Sequence, residues 1–186
     1  MYICVLNKNP VNLELMKRLS SLTLIVVIPW LLAAQECRYG INQYDEYTGC
    51  AIKKTLGVIE SNVIGATGFI NFLKIDSTYY LQLCKSYSGH NDYFVPEGGS
   101  LELRLDNREV IEFSTDESFE ADVTETPADI ITSITVKVHA NEKDIEKLTE
   151  QKVVRYRLSL SDGYLEDNIK PKFQQNVRNA ACCILQ

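Results

Sequence analysis

The sequence predicts a mainly β domain of the α+β class: an antiparallel sheet or sandwich with one short inserted helix and a C-terminal helix. Three observations lead to this prediction. From about residue 55 onward the polar and apolar residues mostly alternate, Gly, Asn, Asp and Pro clusters separate the alternating runs, and apolar residues recur at helical spacing only near the C-terminus. Successive strands joined by short turns favour antiparallel pairing over alternating strand and helix units.

The start of the chain has the order of a secretory signal peptide. Lys17 and Arg18 precede an apolar run over 22–32, and two small residues, ending at Ala34, follow that run. The run is shorter than the roughly 20 residues that span a bilayer, so we expect cleavage after Ala34 rather than a retained anchor. The mature protein would then be exported, to the periplasm or outside the cell.

The position of the basic pair also bears on where translation starts. Signal peptides begin a few residues before their positive charges, which favours Met16 over Met1 as the true start. We therefore divide the chain into an upstream extension and signal peptide over 1–34 and a single β-rich domain over 35–186. The whole chain carries a formal charge of −6, which argues against unaided binding to nucleic acid.

The first strands are predicted at 68–75 and 78–87, joined by a turn at Asp76-Ser77. A hairpin follows, with three leucines on one face of its first strand and a turn at Asp106-Asn107. The inward residues of this hairpin are Leu101, Leu103, Leu105, Ile111 and Phe113.

Two further strands flank the inserted helix. Residues 130–139 alternate with Ile134, Val136 and Val138 inward, and 153–160 alternate with Val154, Tyr156, Leu158 and Leu160 inward. Between these strands Asn141 can cap a helix that runs to about Gln151. The last segment, from Pro171, places Phe173, Val177, Ala180, Ala181 and Ile184 at helical spacing.

Export makes disulfides possible, and five cysteines follow the expected cleavage site: Cys37, Cys50, Cys84, Cys182 and Cys183. Because five is odd, at least one thiol remains outside any bridge within the chain. Cys182 and Cys183 are adjacent in a helical pattern, so a bridge between them would strain the backbone. We favour a Cys37–Cys50 bridge, and other pairings remain open.

Three groups of residues are candidates for function. The loop at 86–92 brings His90 and Asp92 near two serines, but Gly, Asn and Asp around His90 are typical of a solvated turn. An acidic stretch over 109–129 has no calcium-loop spacing and is typical of a solvated face. Four tyrosines could form an aromatic binding surface, although core packing explains such residues as well: Tyr79, Tyr80, Tyr87 and Tyr93.

Two parts of the sequence carry a family resemblance: CRYGINQYDEYTG, and LELRLDNREVIEFST with the later IEKLTEQKVVRYRLSLSDGYLED. Together they resemble small exported proteins of Bacteroides-type bacteria, whose function is not known. The opening motif of that family matches at Cys37, Asn42, Asp45, Glu46, Thr48 and Gly49, with Tyr47 in its aromatic place. Arg108 stands where the family hairpin has glycine, which suggests a looser turn. The resemblance implies structural motifs and no catalytic residue.

These observations favour an exported, non-catalytic binding or structural module of unknown ligand. We assign no catalytic residue, cofactor or metal site, and we expect a protein or glycan partner, with membrane contact only through an uncleaved signal segment. The alternative is a hydrolase that acts outside the cytoplasm with Asp and Glu side chains from separate strands, since paired carboxylates can work without a sequence motif.

Overall fold

The computed structural model describes residues 37, 39–61 and 67–186, and its strands form antiparallel sheets. Two helices accompany the sheets in this part of the chain, one before a late strand and one near the C-terminus. The predicted mainly β class with an inserted and a C-terminal helix is therefore confirmed. The proposed signal peptide and extension over 1–34 lie outside the described residues.

The strands in the described part of the chain are β1 Tyr39–Asp45, β2 Cys50–Ser61, β3 Thr67–Ile75, β4 Thr78–Ser88, β5 Phe94–Val95, β6 Ser100–Leu105, β7 Val110–Ser114, β8 Phe119–Glu120, β9 Asp122–Glu125, β10 Ile130–Ala140, β11 Val153–Leu160 and β12 Gly163–Asn168. The largest sheet has six strands in the order β1-β2-β3-β4-β10-β9, and a second has four in the order β12-β11-β6-β7. β5 and β8 form a small two-stranded ribbon.

One hydrophobic core fills the space between the inner faces of the two large sheets. Alternation sets which residues enter it, because successive side chains of a strand point to opposite faces. Ile70 and Phe72 of β3 and Leu101 and Leu103 of β6 are fully buried there. The predicted hairpin is confirmed as β6 and β7, whose strands pair in antiparallel register.

The inserted helix, α1, spans Glu142–Glu150. Asn141 caps it as predicted, since its Oδ1 accepts a hydrogen bond from the backbone N–H of Asp144 at 2.9 Å. Ile145 and Leu148 lie three residues apart on one face and are buried in the core.

The C-terminal helix, α2, spans Pro171–Ile184 and packs on the inner face of β2. Two contacts fix it there. The Thr55 hydroxyl donates a buried hydrogen bond to the carbonyl oxygen of Ala180 at 2.9 Å. Gly57 lets the helix approach closely, because a Cβ at this position would lie 3.1 Å from Val177 Cα and 2.4 Å from the Ile70 carbonyl oxygen.

Two details of the strands differ from the predictions. β1 and β2 form a hairpin that polar–apolar alternation did not indicate, because β1 is an edge strand with mostly exposed side chains. In β11 the register shifts between Val153 and Arg155, so Val153 is buried and Val154 is only half-buried. The inward position assigned to Val154 was therefore wrong, and a β-bulge is the reason.

The turn between β1 and β2 contains the Asp-Glu-Tyr-Thr-Gly motif of the opening. Asp45 holds this turn by accepting hydrogen bonds from the Thr48 hydroxyl at 2.8 Å and the Tyr47 backbone N–H at 2.9 Å. These bonds stabilise the carboxylate and lower its pKa. The motif is thus a turn-forming element in this chain.

Candidate functional site

The disulfide differs from the predicted one. Cys37 is bonded to Cys183 of α2, and Cys50 is a free thiol, as are Cys84 and Cys182 among the described residues. The expected Cys37–Cys50 bridge is therefore wrong. Cys37 precedes the start of β1, whereas Cys50 pairs with Asp45 at the opposite end of that strand. Several residues of extended chain, at about 3.3 Å each, separate the two thiols.

The four tyrosines of the expected aromatic surface do not form one patch. Tyr79 and Tyr87 point toward the inner face of β4, and Tyr79 is buried, whereas Tyr80 points outward and stacks on His139 with ring centroids 4.5 Å apart. Tyr93 packs edge-on against Tyr87, with centroids 5.5 Å apart. Only Tyr87 and Tyr93 are brought together, and both pack against the core.

The loop containing His90 carries an exposed pair rather than a catalytic arrangement. His90 Nε2 lies 3.0 Å from Asp92 Oδ1, and the two side chains are 58% and 91% exposed. Ser86 shares a hydrogen bond with Ser133 at 2.9 Å on the outer face of the sheet. In the described part of the chain no serine hydroxyl is hydrogen-bonded to this histidine–carboxylate pair, and the pair lies in solvent, where it is poorly positioned for nucleophilic catalysis.

The acidic stretch over 109–129 is spread along β7, β8 and β9 and their connections. Its first member, Glu109, forms an ion pair with Lys147 at 2.7 Å, and Asp116 lies 3.4 Å from His139. Among the described residues, no group of three or more His, Cys, Asp or Glu side chains is placed to hold a metal ion.

A buried lysine is the titratable side chain that the sequence analysis missed. Lys85 in β4 is 4% exposed and forms an ion pair with Glu60 of β2, and its Nζ lies 3.6 Å from Asp167 Oδ2 of β12. The alternation of β4 could have found it, because Leu81, Leu83 and Lys85 share the inward face. This lysine links the two large sheets through opposite charges.

A glycine makes the first of these ion pairs possible. Gly68 of β3 pairs with Glu60 on one side and with Lys85 on the other, so the three positions form one row across the sheet. A Cβ on Gly68 would lie 3.0 Å from Ile59 Cγ1 and 3.3 Å from Lys85 Cδ. The lysine chain therefore crosses β3 through space that a larger side chain would occupy.

The space around Lys85 is too small for a substrate. The cleft beside it has a volume of ≈ 30 Å³ and is lined by Glu60, Tyr156, Asp167 and Lys170 among others. A single water needs about 10–15 Å³ on this measure, and ligand sites are typically about 300–1,000 Å³. Burial lowers the Lys85 pKa, against the opposing charge of Asp167. The cluster is thus suited to an ion pair with one or two waters.

Two tyrosine hydroxyls lie beside this cluster and are also shifted. Burial is the main cause that raises the pKa of Tyr156 and Tyr87 well above the usual value near 10. The Lys85 ammonium lies 5.2 Å from the Tyr87 ring centroid, within the range of a cation–π interaction. Because both phenols stay protonated at neutral pH, neither is prepared to act as a general base there.

The outer face of the six-stranded sheet has a different chemistry from the inner one. Apolar side chains on β1 to β4 point outward there, and two are substantially exposed: Ile41 at 37% and Leu56 at 44%. We call this the apolar outer face; its other members are half-buried: Ile52, Val58, Phe69, Leu73, Ile75 and Tyr80.

Lysines are the charged side chains among the apolar residues of this face, and Asp45, at the end of β1, is hydrogen-bonded within the β1–β2 turn. Lys54 pairs with Ile41 on one side and Leu73 on the other, which places it within the apolar residues. Lys137 of β10 lies 5.4 Å from the ring centroid of Tyr80. Among the described strand positions of β2, β3, β4 and β10, no Asp or Glu points to this outer side.

No protein-family model matches this sequence, no curated protein matches it, and no solved structure matches its fold. The resemblance to small exported proteins of Bacteroides-type bacteria therefore stays a prediction. In the described part of the chain, neither helix is long and apolar enough to cross a membrane.

Proposed function

We propose that the chain is an exported, non-catalytic binding module that recognises a protein through its apolar outer face. The observation that carries this proposal is the exposure of Ile41 and Leu56 within a continuous set of outward apolar side chains on β1 to β4. Scattered surface apolar residues need no explanation, but a contiguous apolar patch is typical of an interaction surface.

The charge of this face argues for a different chain as the partner. Lys54 lies among the apolar residues, and the outward strand positions of β2 to β4 carry no acid within the described residues. In a two-fold pairing of identical faces, the lysines of both copies would meet in one interface. Like charges brought together in an interface oppose binding. The partner that fits is a protein surface with an apolar centre and acidic side chains around it.

The hydrolase alternative has one observation in its favour, since Glu60 and Asp167 converge on one cleft from separate strands. Both carboxylates contact Lys85, and the ≈ 30 Å³ of space leaves no room for a sugar ring or peptide. The arrangement therefore favours a structural ion pair, and binding remains the function that we propose.

The experiment places a photo-reactive amino acid at Val58, on the apolar outer face, and in a second sample at Val110 on the other sheet. Irradiation in the exported fraction of the producing cell identifies a protein cross-linked only from position 58. That protein is then purified and titrated against the full chain and its variants. We expect Leu56→Glu and Lys54→Glu to weaken binding about tenfold or more, because hot-spot truncations cost at least about 1.4 kcal/mol.

The matched control is Val110→Glu, which adds the same charge at an apolar strand residue that is 49% exposed on the four-stranded sheet. Binding unchanged by Val110→Glu and lost in Leu56→Glu supports the proposal. The proposal is overturned if both variants bind with equal affinity or if no cross-link is specific to position 58. It is also overturned if position 58 cross-links only to a second copy of the chain.

Export itself is part of this proposal and rests on the sequence around Lys17, Arg18 and Ala34. A disulfide such as Cys37–Cys183 persists in oxidising compartments, so the bridge is compatible with export. Intact-mass measurement of the protein from its native cell tests this directly. A mass that starts at Gln35 supports export, whereas an uncut chain in the cytosol contradicts it.

A further inference from the structure

A second cleft lies on the four-stranded sheet, away from the apolar outer face. It has a volume of ≈ 240 Å³, and three arginines line it: Arg104 of β6, Arg108 of the β6–β7 turn and Arg155 of β11. We call it the arginine cleft. Asp106 and Asn168 also line it. The concentration of arginine contrasts with the acidic balance of the whole chain, which is −6.

The first notable feature of the arginine cleft is a pair of like charges. Arg104 and Arg155 are direct cross-strand partners in antiparallel register, on the outer side of the sheet. Like charges in that relation repel and destabilise the strand pair. Glu166 pairs with Arg155, but Arg104 has no ion-pair partner among the described residues.

The second feature is the backbone of Arg108, which has φ of 73°. This left-handed region favours glycine and costs a long side chain roughly 1–2 kcal/mol. The resemblance suggested that an arginine here loosens the turn. In the structure the turn places Arg108 in the conformation that favours glycine. A residue held in an unfavourable conformation is often explained by what its side chain contacts.

The third feature is a donor without an acceptor. Arg155 Nε is buried and has no hydrogen-bond partner within the described residues, although the other end of the same guanidinium contacts Glu166. Asp106 lines the same cleft, and its Oδ1 accepts a hydrogen bond from the backbone N–H of Lys152 at 3.3 Å. A buried donor that lacks a partner is typical of a place where a water or an ion belongs.

From these three features we infer that the arginine cleft binds an oxyanion, such as a phosphate ester, a sulfate ester or a carboxylate, carried by a small ligand or a sugar. An anion between Arg104 and Arg155 would remove their repulsion, and guanidinium groups bind such oxygens in pairs of parallel hydrogen bonds. Asn168, which also lines the cleft, offers a neutral amide as a further donor. A volume of ≈ 240 Å³ admits one anionic group with a small ring.

This site is independent of the apolar outer face, so the failure of either proposal leaves the other intact. The test titrates the full chain with inorganic phosphate, inorganic sulfate, glucose 6-phosphate, glucose 6-sulfate and glucuronate, and follows amide NMR shifts at constant ionic strength. We expect saturable shifts at Asn168 and Arg108 with at least one of these probes. The probe that binds most tightly distinguishes phosphate, sulfate and carboxylate chemistry.

Three variants separate a specific site from general charge attraction. Arg104→Gln and Arg108→Gly should each weaken binding about tenfold or more, because a charge-assisted hydrogen bond is lost. Lys143→Gln, which removes one charge from an exposed position of α1, should leave the affinity unchanged. Arg108→Gly should also raise the melting temperature without ligand, so a loss of binding in this variant does not come from unfolding.

Saturable binding that Arg104→Gln and Arg108→Gly reduce and Lys143→Gln preserves supports the arginine cleft. The inference is overturned if no probe binds saturably at millimolar concentration. It is equally overturned if all three variants reduce the shifts alike, because that pattern reports bulk charge.

Discussion

The two large sheets share one core but are stabilised in different ways. On the six-stranded sheet, α2 is fixed by buried contacts: the Thr55 hydrogen bond, the close approach at Gly57 and the Cys37–Cys183 bridge. The four-stranded sheet instead carries exposed ion pairs on its outer side, where Glu166 contacts both Arg155 and Arg157. Buried and covalent contacts contribute more free energy than exposed ion pairs, which are worth about 0–1 kcal/mol.

The outer faces of the two large sheets also differ in the chemistry of their side chains. On the four-stranded sheet, Glu102, Arg157 and Glu166 form ion pairs beside the exposed side chains of Val110 and Tyr164, and such charged pairs keep a sheet face solvated. The apolar outer face of the six-stranded sheet has Lys54 among its apolar residues, and the described outward positions of β2, β3 and β4 carry no acid, whereas Asp45 of β1 and Asp122 of β9 lie at the edges of the sheet. This difference is the basis of our proposal that a protein partner covers the apolar outer face rather than the four-stranded sheet.

Three contacts hold α2 on the six-stranded sheet, and removing the disulfide should give the largest loss of stability among them. Cys37 and Cys183 are 146 residues apart, so the bridge strongly restricts the unfolded chain. Cys37→Ser is expected to lower the free energy of unfolding by about 2–5 kcal/mol, measured by urea denaturation. Cys50→Ser is the control and should be near neutral. An equal loss in both variants, or a Cys37–Cys50 peptide in a non-reducing digest, would contradict the bridge.

The close approach of α2 at Gly57 should give the next largest effect. The Cβ of Gly57→Ala would meet backbone atoms of Ile70 and Val177, which cannot rotate away. Overpacking of this kind costs about 1–3 kcal/mol, which thermal unfolding can measure. Gly40→Ala is the matched control in the neighbouring strand, because the atoms nearest to its Cβ, at 3.3–3.4 Å, would all belong to the Leu56 side chain rather than to backbone. Similar melting temperatures for both variants would rule out a tight helix contact.

The contrast between the sheets also explains what the sequence could predict. Alternation predicted β6, β7 and β10 because one face of each strand is apolar and the other polar. It failed for β1, whose side chains are exposed on both sides, and at the β11 bulge, where one residue shifts the register. Local patterns carry no information about a bond across 146 residues, so the Cys37–Cys183 pairing was out of reach.

The candidate sites were harder to predict than the fold. Tyr79 and Tyr80 are adjacent, so a strand places them on opposite faces, and this could have been predicted from period alone. The apolar outer face could not, because β3 is apolar on both sides, with Phe69 and Leu73 outward and Ile70 and Phe72 inward. Which side meets the second sheet is a property of the tertiary fold.

The pH dependence of unfolding tests whether the tyrosine hydroxyls between the two sheets are buried. Burial raises the pKa of Tyr156 above 10 in the folded protein, whereas an unfolded tyrosine ionises near 10. Below pH 10 the phenol is protonated in both states, so the stability of the folded protein is complete. Above pH 10 only the unfolded state ionises, and the free energy of unfolding falls by about 1.4 kcal/mol per pH unit until the folded pKa is reached. Absorbance at 295 nm should show Tyr156 and Tyr87 ionising only upon unfolding, and Tyr156→Phe should reduce that step by the contribution of one tyrosine. Ionisation of every tyrosine near pH 10 in the folded protein would contradict the burial.

The exposed ion pairs of the four-stranded sheet should give the smallest effect. Hydrogen bonds from Arg157, with the charge of Arg155, lower the Glu166 pKa below 4.5. Its stabilisation is therefore present above pH 4.5 and is lost as the pH falls through the folded pKa. Glu166→Gln should lower the melting temperature slightly at pH 7, and by less at high salt or at pH 3. Glu117→Gln, at an exposed acid outside these pairs, should change nothing at either pH. A loss from Glu166→Gln as large as that from Gly57→Ala would remove the distinction between the sheets, because exposed charges would then stabilise this fold as strongly as its buried helix contact.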